Sequence, residues 1–322
     1  MAGMSTTQNG RLAGINAALI SAFFLGLAPV FGKAAMGGDH FSPFTVVALR
    51  TSAAALLLFL IMVIFKRKFL YIYGTGLLGC VIAGSINGIG SLFYYVGLSK
   101  LNASIAQMLY ALYPFFVAIW LILDRQPLSR LTIIRIMIAS ISAILLTQSG
   151  AGNIDPIGVT CMIIAAGFYA AHIPINQRVL YDVPAPTVTL YTLISMSAIV
   201  ISAYFIFDRS IPTTPGAAPW LPVVGLTIVT FLSRLMLFLG IKHIGGMQTA
   251  ILGLGELIVA ILFSHLLLNE MLTRLQWIGV ACLGISLLMV LLEKPVPHPP
   301  IHPHGLLSWL QPPDFPEDFY KN

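Results

Sequence analysis

LDRQPLSRL at residues 123–131 and LLNEMLTRL at residues 267–275 match in length, charge placement and the closing Arg-Leu. Each ends one long apolar run and opens the next. Working outward, VGLSKL from Val96 aligns with LGIKHI from Leu239. SPFTV from Ser42 aligns with APTVT from Ala185. Further out, FFLGLAPVFGK places Phe24, Pro29 and Lys33 at the spacing at which FYAAHIPINQR places Tyr169, Pro174 and Arg178. The register stays roughly constant, so the chain reads as two similar halves, 1–150 and 151–294, followed by a tail, 295–322.

Composition fixes the solvent. Of the 322 residues 58% are apolar and only 9% are charged, with a mean hydropathy of +0.92. A soluble domain carries about 45–50% apolar and about 25% charged residues. A soluble enzyme, a nucleic-acid-binding domain and a disordered chain are excluded, and a polytopic protein whose partner is the lipid bilayer remains. The net charge of +6 points to no nucleic acid, because the basic residues lie between apolar runs and report topology. Cys80, Cys161 and Cys282 lie far apart inside apolar runs, which fits neither a disulfide framework nor a zinc cluster.

A bilayer core of about 30 Å needs about 20 apolar residues in a helix. Ten such runs occur, at 12–34, 43–65, 70–98, 103–123, 130–148, 157–180, 185–207, 220–242, 246–268 and 274–292. They are too long and too continuously apolar for barrel strands, so the fold class is all-α with ten transmembrane helices. The first run exceeds the apolar core of a secretory leader and contains Pro29, so it reads as a span. With the amino terminus inside, eleven loop Lys and Arg residues fall inside, the triplet Lys66-Arg67-Lys68 among them, and four fall outside. That places both termini in the cytoplasm. Five spans per half is an odd number, so the halves cross in opposite senses. Such a 5+5 inverted-topology repeat implies alternating access around a site where the halves meet.

The order of motifs resembles the drug/metabolite transporter superfamily, of the EamA type, over about residues 12–293. Leu25-Gly26 and Lys33 are similar to the family's first helix, with Leu25 replacing the usual aromatic. Pro43, Leu49 and Arg50 resemble its second, and Ala103 with Pro114 its fourth. GELIVAILFSHLLLNEMLT keeps Glu256, Ala260, Glu270 and Thr273 of its ninth, with Leu257 where proline is common. The resemblance implies a central cavity from helices 1–4 and 6–9, with helices 5 and 10 peripheral. A homodimer through helices 5 and 10 is a further expectation.

Ionisable residues inside a membrane usually face a cavity or each other. Arg50, Arg234 and Glu256 are the clear cases, with His172 and His265 as additions. By helical rise, Arg234 and His172 lie about 12 Å, and Glu256 about 15 Å, from the inner face. The short link between the eighth and ninth runs makes them antiparallel neighbours, which permits an Arg234–Glu256 pair. Such a cluster binds substrate, gates or takes a proton. The alternative is a fixed pair that joins two helices. Arg50, about 12 Å from the outer face, meets a substrate or snorkels outward. Arg135 reads as snorkelling at the inner end, and Glu270 with Arg274 as a loop pair.

Asn87 sits in the Gly-rich GSINGIGSLFYY, whose Gly84, Gly88 and Gly90 allow close helix approach. Asn87 itself, with Tyr94 and Tyr95 further out, is a candidate to line the cavity. Gln107, Tyr110 and Pro114 share one helical face, with Tyr113 beside it. Rings with an amide and hydroxyls suit an amphipathic organic ligand, and helix packing is the alternative. Tyr191 and Gln248 are weaker candidates. Pro29, Pro114 and Pro174 are hinges or fixed kinks.

No P-loop is present, so transport would run on a gradient or on exchange. HExxH and GxSxG are absent and the loops are short, which disfavours a membrane enzyme. No cofactor or metal is expected. The expected function is a secondary transporter, most simply an exporter, of a small metabolite such as an amino acid or a drug-like amphiphile, in the cell membrane. A nucleotide-sugar or phosphosugar antiporter is the alternative, disfavoured by the few cations available. The tail holds eight of the 20 prolines, and PVPHPPIHPH reads as extended and solvated. A metal role for His298, His302 and His304 is less expected than a plain disordered tail. GLLSWL, around Trp309, reads as a piece that touches the membrane interface.

Overall fold

The computed structural model describes residues 8–37, 41–126, 128–147, 155–208, 220–268, 273–289 and 305–310, and among them there is no strand. The helices are α1 Gln8–Met36, α2 Pro43–Phe65, α3 Gly74–Lys100, α4 Ala103–Tyr110, α5 Tyr113–Leu123, α6 Arg130–Thr147, α7 Pro156–Leu180, α8 Ala185–Phe207, α9 Trp220–Ile244, α10 Gly246–Gly253, α11 Gly255–Leu268 and α12 Arg274–Leu288. Eight stretches are long and apolar enough to cross a membrane, α4–α5 and α10–α11 each counting once. Adding α6 and the shorter α12 gives ten span-like units among the described residues, five in each half. In hydrocarbon every backbone N–H and C=O needs an internal partner, so helices are what these apolar sequences form.

Local signals start the helices. Ser42 caps α2, its hydroxyl accepting from Thr45 N–H at 3.1 Å, with Pro43 in the first turn. Asp155 caps α7 by accepting from Ile157 N–H at 2.8 Å and Gly158 N–H at 3.4 Å. These amides, the Ile157 bond foremost, hold the Asp155 carboxyl below the usual carboxylate range.

The hinge or kink expected at Pro114 is a full interruption of the fourth span, and the ninth span, for which no break was expected, is interrupted as well. Pro114 has no N–H to give the Tyr110 carbonyl, and Leu112 N–H turns to Leu109 O at 3.3 Å. In the ninth span no proline is needed. Leu254 lies between Gly253 and Gly255, its N–H bonds Ile251 O at 3.2 Å, and the Ala250 carbonyl left free accepts from Tyr113 OH at 2.9 Å. One break thus closes on the other. Pro29 and Pro174, by contrast, lie inside unbroken helices.

Contacts at the helix ends fix the relative directions. Lys100, ending α3, bonds Asp155, which starts α7, at 3.3 Å. Ser42, starting α2, bonds Asp208, which follows α8, while Tyr191 OH near the start of α8 donates to Leu70 O beyond α2 at 2.6 Å. Arg135 near the start of α6 meets Ser286 near the end of α12. α1 begins beside the end of α9, where a Cβ on Gly14 would meet His243 and Ile244. Corresponding helices of the two halves run in opposite senses, as an inverted repeat requires.

Small residues set the spacing. A Cβ on Gly84 would lie 2.5 Å from Thr192 O, so α3 touches α8 backbone to backbone. On the outside of the bundle, α6 and α12 pack on each other and expose Ile133, Met137, Trp277 and Ile278.

One further expectation needs correction. Arg135 does not snorkel: it is fully buried, its Nε donating to Ser286 O at 3.1 Å and its Nη1 to Gln248 Oε1 at 2.8 Å. Partners from α12 and α10 replace the water it would otherwise seek. In the tail, PVPHPPIHPH lies outside the described residues, while GLLSWL, expected at the membrane interface, forms a turn at 305–310, with Ser308 N–H bonded to Gly305 O and Leu310 N–H to Leu307 O, and Leu310 is buried. Glu270, His298, His302 and His304 lie outside the described residues.

Candidate functional site

Six spans surround one polar cavity. α1 gives Leu25 and Ala28, α2 gives Arg50, and α3 gives Asn87, Ser91, Tyr94 and Tyr95. α4 adds Gln107 and Tyr110, α9 adds Arg234 and α11 adds Glu256. The free space is about 40 Å³, room for a few waters at about 10–15 Å³ each on this scale. The chain breaks deliver the α4 and α11 side chains: Gln107 and Tyr110 come from the turns just before the first break, and Glu256 from the turn just after the second. Gly26 lets α1 reach that turn, since a Cβ there would lie 2.5 Å from Glu256 O.

The charged side chains are held from behind. Arg50 is buried at 7% exposure and donates from Nη1 to Thr230 Oγ1 at 2.9 Å and from Nη2 to Ser91 Oγ. Its guanidinium lies 4.7 Å from the Tyr95 ring centre. It therefore turns into the bundle and does not snorkel. Arg234 donates from Nη2 to Asn87 Oδ1 at 3.4 Å and stacks 5.3 Å from the Tyr169 ring centre. Tyr94 OH donates to Gln107 Oε1 at 2.9 Å, and the Tyr94 and Tyr110 rings meet edge to face at 4.9 Å.

The cluster is incompletely paired. Glu256 Oε1, Arg234 Nη1 and Arg50 Nε are buried without a hydrogen-bond partner. Arg234 faces Asn87 and Tyr169, and the direct pair with Glu256 that the sequence permitted is not what holds it. Two guanidiniums and a carboxylate thus share one aromatic-walled space, each with bonding capacity left.

Of the sequence candidates, Glu256, Arg234, Arg50, Asn87, Gln107 and Tyr110 line the cavity together. His172 and Tyr113 do not. His172 is buried behind Tyr169, its Nδ1 bonded to Tyr169 O, its ring 4.7 Å from the Tyr169 ring and its Nε2 without a partner. Tyr113 lies beyond the first break and serves the second through Ala250 O. Tyr191 and Gln248 are held elsewhere, by Leu70 O and Arg135. Ser91 and Tyr169 went unnoticed as site residues. Asn87, Ser91, Tyr94 and Tyr95 follow the i, i+4, i+7, i+8 pattern of one helical face, which was the available signal.

The cavity lies toward one end of the bundle. Its lining comes from the middle and from the half that carries Ser42, Lys100 and Asp155, where the Lys100–Asp155 side chains are 38% and 34% exposed. At the opposite end Arg178 Nη2 bonds Asp124 Oδ2 at 3.0 Å with side-chain exposures of 1% and 2%. Gln177 Oε1 accepts from Gly246 N–H at 2.8 Å, joining α7 to α10, and Lys242 of α9 donates to Val183 O in the α7–α8 link at 3.0 Å, which packs that end together.

An all-helical membrane protein of two inverted halves, with a polar cavity at their junction, is the architecture of a transporter. The EamA-like transporter family matches residues 12–148 and again 156–292, and the chain belongs to that family. No curated protein matches the sequence. A solved structure described only as "Crystal structure of protein" shares the fold with a TM-score of 0.69. It is 17% identical and covers 89% of this chain and 97% of that one.

Proposed function

We propose that the protein moves a small organic metabolite across the cell membrane by alternating access, as an exporter, with both termini in the cytoplasm. The Asp124–Arg178 end is then the cytoplasmic one. One observation carries the substrate reading: Glu256, Arg234 and Arg50 line the same buried cavity with unpartnered polar atoms. Leaving such atoms dry is costly, and a solute with acidic and basic groups would complete them. Tyrosine walls add area for an apolar portion. These features support an amino acid or a comparable amphiphile as cargo. A phosphosugar would call for more cations than the two lining this space. The exposed faces of α6 and α12 are where a second copy would pair.

Reconstituted protein tests this. Saturable flux of a labelled amino acid, with thermal stabilisation by the same solute, is expected. Stabilisation by a phosphosugar and by no amino acid would contradict the cargo, and absence of saturable flux for any solute would contradict transport.

A further inference from the structure

The closed end holds a piece of chain from outside the repeats. Residues 305–310 turn back into the bundle, and Leu310 joins the buried cluster that includes Tyr73 and Val179. A Cβ on Gly79 would lie 2.6 Å from a methyl of Val179 and 2.9 Å from one of Leu310, so Leu310 sits in the notch that Gly79 leaves between α3 and α7. Leu307 packs against the same cluster.

The backbone of this segment also completes the buried ion pair. Asp124 Oδ2 accepts from Arg178 Nη2 at 3.0 Å and from Gln126 Nε2 at 2.9 Å. Asp124 Oδ1 accepts from Leu307 N–H at 3.0 Å. A buried carboxylate is stable only when its lone pairs are occupied. Docking of the segment and closure of the Asp124–Arg178 pair therefore favour each other. Arg178 Nε and Nη1 have no partner, so the segment completes the pair on its Asp124 side alone.

We propose that Gly305–Leu310 is a latch on this end of the bundle. Seated, it holds α5 and α7 together through Asp124 and Arg178 and favours the conformation whose cavity faces the opposite end. Opening the near end requires Leu310 to leave the Gly79 notch and Leu307 N–H to release Asp124. The latch sets how often the near end opens, an equilibrium between two conformations that one buried side chain is sufficient to bias. This role rests on the transport reading above.

The test places one reporter thiol beside the latch: Val179→Cys, with Cys80, Cys161 and Cys282 replaced by alanine. Labelling by a membrane-impermeant maleimide from the Asp124 side is compared in the full chain, in Leu310→Asp and in a chain ended after Lys294. The shortened chain leaves the ten spans whole and serves if Leu310→Asp does not fold. Labelling about tenfold faster in the variants is expected, the shift that follows loss of one buried leucine contact. Equal labelling in the full and shortened chains would overturn the latch. Flux is read separately: a full-length protein without saturable flux counts against transport, whereas normal flux with equal labelling counts against the latch alone.

Discussion

Glu256 and Arg234 work at close range without a direct pair, and their variants should differ from those of a structural ion pair. Glu256→Gln keeps the shape and removes the charge, and Arg234→Ala frees Asn87 Oδ1 and uncovers the Tyr169 ring. Each should weaken solute binding about tenfold to a hundredfold, the equivalent of about 1.5–3 kcal/mol for a hydrogen bond to a charged group. Membrane insertion should be unchanged. Full binding in both, measured by the solute-induced rise in melting temperature, would return the pair to a packing role. These two residues were legible because a charge in an apolar run is conspicuous in one dimension. Arg135 was equally conspicuous and was misread. Its partners, the Ser286 carbonyl and Gln248, lie more than a hundred residues away and a single sequence does not connect them. Tyr113 does stay beside Tyr110, their ring centres 5.7 Å apart, but the break between them aims its hydroxyl at Ala250 O rather than into the cavity.

At the scale of the elements, close helix approach is the quantity to perturb. Gly26→Val should destabilise the fold by about 1–3 kcal/mol, as overpacking does. Its Cβ would meet both the Glu256 carbonyl at 2.5 Å and Val259 at 2.6 Å. Gly37→Ala, with nothing within 4 Å, is the neutral control. Thermal unfolding in detergent reads both, and equal melting temperatures would refute the close crossing of α1 and α11. The cap of α7 gives a pH-dependent counterpart. Because the folded Asp155 carboxyl is held low, its stabilisation is present above the unfolded value of about 3.9 and fades as the pH falls through the folded one. The melting difference between wild type and Asp155→Ala should therefore shrink below about pH 4. Ten apolar runs marked the spans well, because hydrocarbon thickness sets their length. The interruption of the ninth span escaped notice because apolarity continues through it. Pro114 announced one, read only as a hinge or kink, and the glycines around Leu254 announced the other faintly.

At the scale of the whole molecule, the inverted repeat was legible from matched charges and prolines at a near-constant offset, and the odd number of spans then dictated opposite directions. Which end is closed was not legible. It depends on the Asp124–Arg178 contact between halves and on six tail residues, GLLSWL, that read only as a piece at the membrane interface. The proposed transport rests on the same asymmetry, as its central claim: a cavity between two opposed halves that exchanges access between the two ends. Ser91→Cys, on the cysteine-free background, puts a thiol in that cavity beside Arg50. In oriented proteoliposomes an impermeant maleimide should modify it from the Lys100–Asp155 side readily and from the Asp124 side more slowly, with a transported solute changing the ratio. Modification from neither side, or from one side alone under every condition, would contradict alternating access.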